Sequence, residues 1–351
     1  EKGMDEKIYP ASMTKVMTLL VAAENLPDLD ATFTMTQAII DPLFLSDATM
    51  AGFVNGEEVN MTDLVYGALL PSGAEATEAL AQTIAGSTEG FVALMNEKAA
   101  QIGCTNSHFV TPNGLDAEDG EGFHGTTAED LAHILCYCIE KSEKKDAFLE
   151  ITGTPTYSFT DLSGKRSFTC NNHNAFLNMM EGALTGKTGF TGNAGYCFCG
   201  AAKRGDITLI SSVLACGWPP HKTYKWTDTK KLMDYGFTNY KLVRLTETPM
   251  LQKIPVHGGR SNIMQPRRSV PARDTKLLMT SADTLRICYE LPHSLKAPIR
   301  SGDIIGYENY YLNDTLLQSI PIASSSKIKE ADAPYVARLL YQLYCITAIS
   351  G

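Results

Sequence analysis

The chain has 351 residues, 44% of them hydrophobic and 20% charged, an ordinary globular composition at a length that suggests two domains. Its net charge of −9 argues against a nucleic-acid partner and against an electrostatic grip on anionic lipid. No apolar run reaches the ~18 residues of a membrane span. No signal peptide is visible, and the chain opens at Glu1 without methionine, which reads as a processed or trimmed product.

Glu1 to Ile8 reads as a polar turn. It leads into Tyr9-Pro10-Ala11-Ser12-Met13-Thr14-Lys15 and a helix that reaches about Asn25 and stops before Pro27. Val16, Leu19, Leu20 and Ala23 follow the spacing of one buried helical face, and Pro10 stands where a helix start tolerates proline. Turn signals at Asp41-Pro42 and Asn55-Gly56 predict short strands and loops between Ala31 and Met61. Thr62-Asp63 is expected to cap a helix carrying Leu64, Val65, Ala68 and Leu69, which ends at Pro71-Ser72-Gly73-Ala74. Helices from Glu75 to Ala85 and from about Glu89 to Ile102 follow, the second stopped by Gly103. Beyond a turn-rich loop at Thr111–Asp116, Thr126-Thr127 caps a helix through Glu140.

From about Tyr157 to Cys216 the pattern is strand-like. Gly186-Lys187-Thr188-Gly189-Phe190-Thr191 begins a meander, continued by Gly195–Ala202 and Ile207–Cys216 around a Lys203-Arg204-Gly205-Asp206 turn. Helical periodicity returns from Trp226 to about Tyr240. The fold class is therefore α/β in the α+β sense, with helices around an antiparallel sheet over residues 1–243. Between 244 and about 328, prolines and short alternating runs (Asp274–Met279, Thr284–Tyr289, Ile304–Leu312) predict a small all-β domain. Residues 329–351 form a C-terminal amphipathic helix, with Val336, Leu339, Leu340, Leu343 and Tyr344 on one face. Two readings of that face stand: a helix packed back on the β domain, or an interfacial anchor making peripheral membrane contact.

Nine cysteines are an odd count and too sparse for a disulfide framework. Cys136-x-Cys138 and Cys197-x-Cys199 lack the C-x-x-C spacing of zinc and redox sites and read as buried thiols. The histidines form no H-E-x-x-H pair, so no metal is expected.

Three short elements carry chemistry. Ser12 and Lys15, three apart, share a helical face. A hydroxyl becomes a nucleophile when a base takes its proton, and a lysine kept neutral by desolvation is such a base. The Ser12 N–H, near a helix start, is free to donate to a developing oxyanion. Ser72-Gly73 sits at a junction between helices, where the hydroxyl can project into a cleft. Lys187-Thr188-Gly189 opens an edge strand, where glycine admits a ligand backbone and lysine offers charge to a carboxylate. Each has a structural alternative: Ser12 or Ser72 as a helix cap, Lys15 or Lys187 as a solvated charge. S-x-x-K, Ser-Gly and K-T-G in this order and on these elements are the signature set of serine penicillin-recognising enzymes.

The sequence resembles the low-molecular-weight penicillin-binding proteins that act as D-alanyl-D-alanine carboxypeptidases, serine peptidase family S11. The likeness extends to Gly56-Glu57-Glu58-Val59 through Gly73, to Asn106-Ser107-His108-Phe109 with Asn113-Gly114-Leu115-Asp116, to Lys187–Thr191 with Ala194-Gly195-Tyr196, and to Ala297-Pro298-Ile299 through Leu312 with Leu316-Leu317. It implies a transpeptidase-like domain at 1–243 and a β domain at 244–328 holding it off the membrane, outside the cytoplasm at the bacterial cell surface or in the periplasm. It implies a two-step acyl transfer on peptidoglycan pentapeptides ending in D-Ala-D-Ala, with no cofactor. Lys15 would activate Ser12, the N–H groups of Ser12 and Phe190 would hold the oxyanion, and Ser72 would relay the proton to the leaving D-alanine. Lys187 and Thr188 would bind its carboxylate, with Gly73, Ala74, Gly189 and Thr191 lining the substrate site. β-Lactam antibiotics would acylate the same serine.

Two departures stand out. The family's second motif reads Ser-x-Asn, and here it is Ser72-Gly73-Ala74, so the amide that bonds lysine and substrate is missing; Glu75 is the residue that could stand in. The chain also begins after a strand the family pairs into its main sheet. Two other functions follow as alternatives: a β-lactamase, which needs S-D-N and a deacylating glutamate not found here, and a catalytically weakened muropeptide- or β-lactam-binding protein.

Overall fold

The computed structural model describes residues 2–26, 28–244, 250–270 and 276–349. Pro27, expected to stop the first helix, and Asp274 and Thr275, expected to open a strand, lie outside them, as do Glu1 and Gly351 at the ends. The chain divides into two compact units, Glu1–Thr238 and Asn239–Gly351.

The first unit runs through a 3₁₀ turn (Ala11–Thr14), α1 (Lys15–Asn25), β1 (Thr32–Thr34), α2 (Gln37–Leu45), β2 (Glu58–Asn60), α3 (Met61–Leu69), α4 (Ala74–Ala85) and α5 (Thr88–Gln101). It continues with α6 (Ala128–Cys136), a π turn (Tyr137–Lys141), α7 (Lys145–Gly153), β3 (Thr156–Thr160), β4 (Ser167–Asn171), α8 (Phe176–Met179), β5 (Ala183–Thr191), β6 (Gly195–Arg204), β7 (Ile207–Val213) and α9 (Tyr224–Asn239). At its centre lies α1. Lys15 through Ala22 are buried without a break, so α1 is covered all round rather than along the one stripe its spacing implied. Helices α3, α4, α5, α6 and α7 all pack against it.

Several boundaries differ from the sequence reading for identifiable reasons. Ser12 sits in a 3₁₀ turn and Lys15 opens the α-helix, where one continuous helix was expected. Helix α2 was missed because Asp41-Pro42 reads as a turn. Pro42 forfeits only its backbone bond to Ala38, and the buried side chains Ile39 and Leu43 hold this surface helix down. Asn60, not Thr62-Asp63, caps α3: its side chain accepts the Asp63 N–H at 2.8 Å, leaving the Asp63 carboxylate for the Tyr157 hydroxyl at 2.9 Å. Cys136 is only half-buried, whereas Cys138, Cys197 and Cys199 are fully buried, and all nine thiols are unpaired.

Strands β5, β6 and β7 form an antiparallel meander with β5 at an edge. Along β6, Cys197, Cys199 and Ala201 face the main helical core, while Phe198 and Ala202 face a second cluster with Phe176, Met180 and Met233. Both faces are covered, so β6 reads as a continuous buried run. Its register sets Lys187 opposite Cys199 and Gly189 opposite Cys197, which fixes the lysine's height in the unit.

The second unit contains β8 (Lys241–Arg244), β9 (Ile254–His257), β10 (Ile263–Met264), β11 (Pro266–Arg268), β12 (Lys276–Met279), β13 (Leu285–Glu290), β14 (Leu295–Lys296), β15 (Ile304–Leu312), β16 (Thr315–Ser324) and α10 (Ala333–Ile349). A four-stranded sheet in the order β11-β16-β15-β13 joins a three-stranded sheet β10-β9-β14 and a β12-β8 pair. The β15–β16 hairpin turns at Asn313, whose φ of 55° suits a tight hairpin turn. In the first of these sheets the Arg268 guanidinium meets the fully buried Glu308 carboxylate at 2.5 Å, and the Tyr310 hydroxyl donates to it at 2.9 Å. On α10, Val336, Leu339, Leu340, Leu343 and Tyr344 are all exposed, which removes the reading in which this face packs back on the β domain. Among the described residues no helix is long and apolar enough to cross a membrane.

Candidate active site

The turn that carries Ser12 is held in a sparsely populated conformation. Ala11 has a φ of 49°, unfavourable for a residue with a Cβ, so its neighbours must impose it. The Thr14 hydroxyl donates to the Ala11 carbonyl at 2.9 Å and meets His124 Nε2 at 2.7 Å. His124 Nδ1 receives the N–H groups of Val110 and Thr111, so Nε2 carries the proton and donates it to Thr14. Burial, with the positive charges of His108, Lys7 and Lys15, pushes this imidazole down to about 3.

Two glycines let other backbone approach the turn. A Cβ on Gly114, whose φ is +86°, would lie 2.1 Å from the Ala11 oxygen. One on Gly189 would lie 2.9 Å from the Pro10 oxygen and 3.2 Å from the Ser12 nitrogen. The glycine of the K-T-G element is thus what allows β5 to lie directly on the serine turn.

Lys15 Nζ donates to Ser12 Oγ at 3.1 Å and to the Asn113 carbonyl at 2.6 Å. The side chain is fully buried, and desolvation lowers it from 10.5 to about 7 against the opposing charges of Glu75 and Glu78. Ser12 itself is half-buried. Lys187 Nζ donates to Ser72 Oγ at 3.0 Å and to the Thr188 carbonyl at 3.3 Å. Burial and the charges of Lys15 and Lys225 hold Lys187 well below the usual lysine range. Ser72 has a φ of 69° and takes no part in capping α4, whose N-cap is Gly73. The charge of Lys15 acts on Lys187, so the hydroxyl–lysine pairs Ser12–Lys15 and Ser72–Lys187 belong to one cluster, buried but for the half-buried Ser12.

The flanking residues fall around that cluster. Thr188 is half-buried, while the Phe190 side chain is exposed and packs at a tilt on Tyr196 with ring centroids 4.6 Å apart. The Thr191 hydroxyl donates to Asp116 at 2.8 Å and accepts the Ala194 N–H, which ties the end of β5 to the loop after Asn113-Gly114. Ala74 is buried at the start of α4, with its N–H on the Thr49 carbonyl. Glu75 does not replace the missing amide by a hydrogen bond. One of its oxygens accepts the N–H groups of Gly52 and Phe53, and it reaches Lys15 only through its charge.

Glu78, His124 and Lys225 are site residues that the motifs did not single out, and Asn113, quoted only as part of a family-like segment, joins them through its bond to Lys15. Buried Lys225, from α9, lies over the rings of Tyr196 and Trp226 at 5.0 and 5.1 Å and adds its charge to that of Lys187. Lys187 is thus repelled by both Lys15 and Lys225, and an anionic ligand beside it would relieve that repulsion. One cluster could hold a cation among the described residues: Cys104, Asp130 and His133 bring ligand atoms within 4.8 Å of one another. The Asp130 carboxylate there already accepts the Asn106 N–H and Ser107 hydroxyl, burial and acidic neighbours push the Cys104 thiol up to about 12, and no residue is shared with the lysine–serine cluster.

Comparison with known proteins is consistent with this chemistry. The family model described as D-alanyl-D-alanine carboxypeptidase matches residues 1–217, and that of the penicillin-binding protein 5 C-terminal domain matches residues 270–330. The chain is 27% identical over 333 residues to D-alanyl-D-alanine carboxypeptidase DacF of Bacillus subtilis, covering 94% of this chain and 82% of that protein. It is 34% identical over 241 residues to DacB2 of Mycobacterium tuberculosis, covering 67% of this chain and 77% of that protein. Penicillin-binding protein 5 of Haemophilus influenzae superposes with a TM-score of 0.69 at 26% identity, covering 93% of this chain and 92% of that one.

Proposed function

The chain belongs to the D-alanyl-D-alanine carboxypeptidase family, peptidase S11, and we propose that Ser12, Lys15, Ser72 and Lys187 carry that family's reaction in it. It is a serine-type D-Ala-D-Ala carboxypeptidase and a penicillin-binding protein. The family acts on peptidoglycan peptides ending in D-Ala-D-Ala and binds β-lactams, and the match to a carboxypeptidase family supports that reading over the β-lactamase alternative.

In the mechanism we propose, neutral Lys15 takes the Ser12 proton as Oγ attacks the carbonyl between the two D-alanines. The observation that carries this is the 3.1 Å contact from a fully buried lysine held near 7, a base matched to neutral pH. The N–H groups of Ser12 and Phe190 would receive the oxyanion, since β5 runs against the serine turn at Gly189. Ser72 would pass the proton to the departing amine. Lys187 and Thr188 would bind its carboxylate, with Lys225 reinforcing the positive field. Water then releases the acyl-enzyme through the same base.

The first unit, with the sequence boundary near 243, would hold this whole apparatus. Extracytoplasmic action at the cell envelope is part of the proposal, as is peripheral membrane contact through α10, supported by its exposed leucine and tyrosine face. The test is D-alanine release from a stem-peptide analogue. Ser12→Ala should abolish it, and Ser72→Ala should lower kcat by roughly 10²–10⁴, the range for losing a proton relay. Full activity in Ser72→Ala would remove Ser72 from the reaction.

A further inference from the structure

We propose that Glu78 is a positioning residue for Lys15: it fixes the Asn113 amide so that the Asn113 carbonyl aims the lysine at Ser12, and it sets a negative charge behind that base. The inference rests on Lys15 acting as the base.

A neutral lysine has two N–H donors and one lone pair, and it works as a base only when the lone pair points at the hydroxyl. The 2.6 Å bond from Nζ to the Asn113 carbonyl fixes that rotation. Asn113 is itself clamped at both ends of its side chain. Its Nδ2 donates to Glu78 Oε1 at 2.8 Å, and its Oδ1 accepts the Leu115 N–H at 2.8 Å. The other Glu78 oxygen accepts the Thr88 hydroxyl at 2.6 Å, so the carboxylate is held from the start of α5 as well.

Glu78 stands four residues after Ala74 on α4, on the same helical face one turn along. The family's second motif places an amide on that face at position 74. Here alanine leaves it empty, the Thr77 hydroxyl on that face is turned back to the Ala74 carbonyl, and the next ionisable group along the face is the Glu78 carboxylate. Four charged or titratable groups act on Lys15 or are acted on by it: Glu75 and Glu78 from α4, Lys187 from β5, and His124 from the loop before α6. Glu75 accepts the Gly52 and Phe53 N–H groups with one oxygen and leaves the other buried without a hydrogen-bond partner, so it acts on Lys15 by charge alone, and Glu78 is the acid whose hydrogen bonds lead to the lysine. Burial raises the Glu78 carboxyl, while the Thr88 and Asn113 hydrogen bonds and the Lys15 charge draw it back toward the ionised form.

The test is the pH profile of benzylpenicillin acylation, followed by intact mass on the full chain. Glu78→Gln keeps an acceptor for Asn113 and a partner for Thr88 but removes the charge. Without that charge the ammonium is less favourable, so the acid limb should move down by about one pH unit, the lower end of what an adjacent charge does. Glu78→Ala frees Asn113 as well, and its high-pH plateau should fall about tenfold further than that of Glu78→Gln. A Glu78→Gln limb that superimposes on the wild type overturns the inference, and so does a lowered plateau with an unmoved limb, since either leaves the carboxylate a purely structural role. Lys15→Met separates the two levels. If it acylates like the wild type, the base assignment fails; if it is inert while Glu78→Gln leaves the limb unmoved, only the Glu78 inference fails.

Discussion

Gly114→Ala tests how the serine turn is held. The added Cβ would lie 2.1 Å from the Ala11 oxygen, 2.5 Å from its carbonyl carbon and 3.0 Å from the Ser12 nitrogen. The loop has little freedom to retreat. The Gly114 N–H donates to Thr111 Oγ1, the Leu115 N–H to Asn113 Oδ1, and the Asn113 carbonyl holds Lys15. A side chain at a φ of +86° costs about 1–2 kcal/mol by itself. Overpacking against fixed backbone adds about 1–3 kcal/mol. The expected loss is therefore about 2–5 kcal/mol in urea unfolding. Because relief of the clash displaces the serine turn, benzylpenicillin acylation should slow by about 10², the effect of misplacing a reacting atom by about an ångström. Gly120→Ala is the matched control: nothing lies within 4 Å of its added Cβ, and it should stay within about 0.5 kcal/mol. A Gly114→Ala protein as stable as that control and acylated at the wild-type rate would refute the reasoning.

Two further expectations concern pH. Acylation should be half-maximal near pH 7 and rise above it, because only the neutral form of Lys15, which titrates at about 7, accepts the serine proton; a rate flat from pH 5 to 9 would contradict this. His124 is held neutral down to about 3, against 6.5 when unfolded, so the unfolded state takes up a proton that the folded state refuses. Stability should accordingly fall as pH drops from 6.5 toward 3, by up to roughly 5 kcal/mol at 1.36 kcal/mol per pH unit, and this part of the slope should vanish in His124→Gln. Urea midpoints across that range measure it; identical slopes in the two proteins would show that His124 is not the group responsible.

The groups with local signatures were legible in the sequence. Ser12 and Lys15 are three residues apart, Ser72 follows a helix stop, and Lys187 stands on an edge strand, although in its middle rather than at its opening because the strand already begins at Ala183. Support from afar was not legible. His124 meets Thr14 across 110 residues, Asn113 meets Lys15 across 98, and Glu78 meets Asn113 across 35, and no periodicity encodes such meetings. The positive φ of Ala11 was hidden for the same reason, since tertiary contacts impose it against the residue's own preference. Helix α2 was lost to a Pro42 that local rules read as a turn. The outward face of α10 followed its heptad-like spacing, but whether the β domain covered it depended on packing that the pattern does not contain.

The central claim is that Ser12 is the nucleophile of an acyl-transfer site. Intact-mass measurement after mixing with benzylpenicillin, beside a Ser12→Ala control, tests it most directly. One penicilloyl adduct per chain is expected on the wild type and none on the variant. An adduct of equal size on Ser12→Ala, or none on either protein, would contradict it.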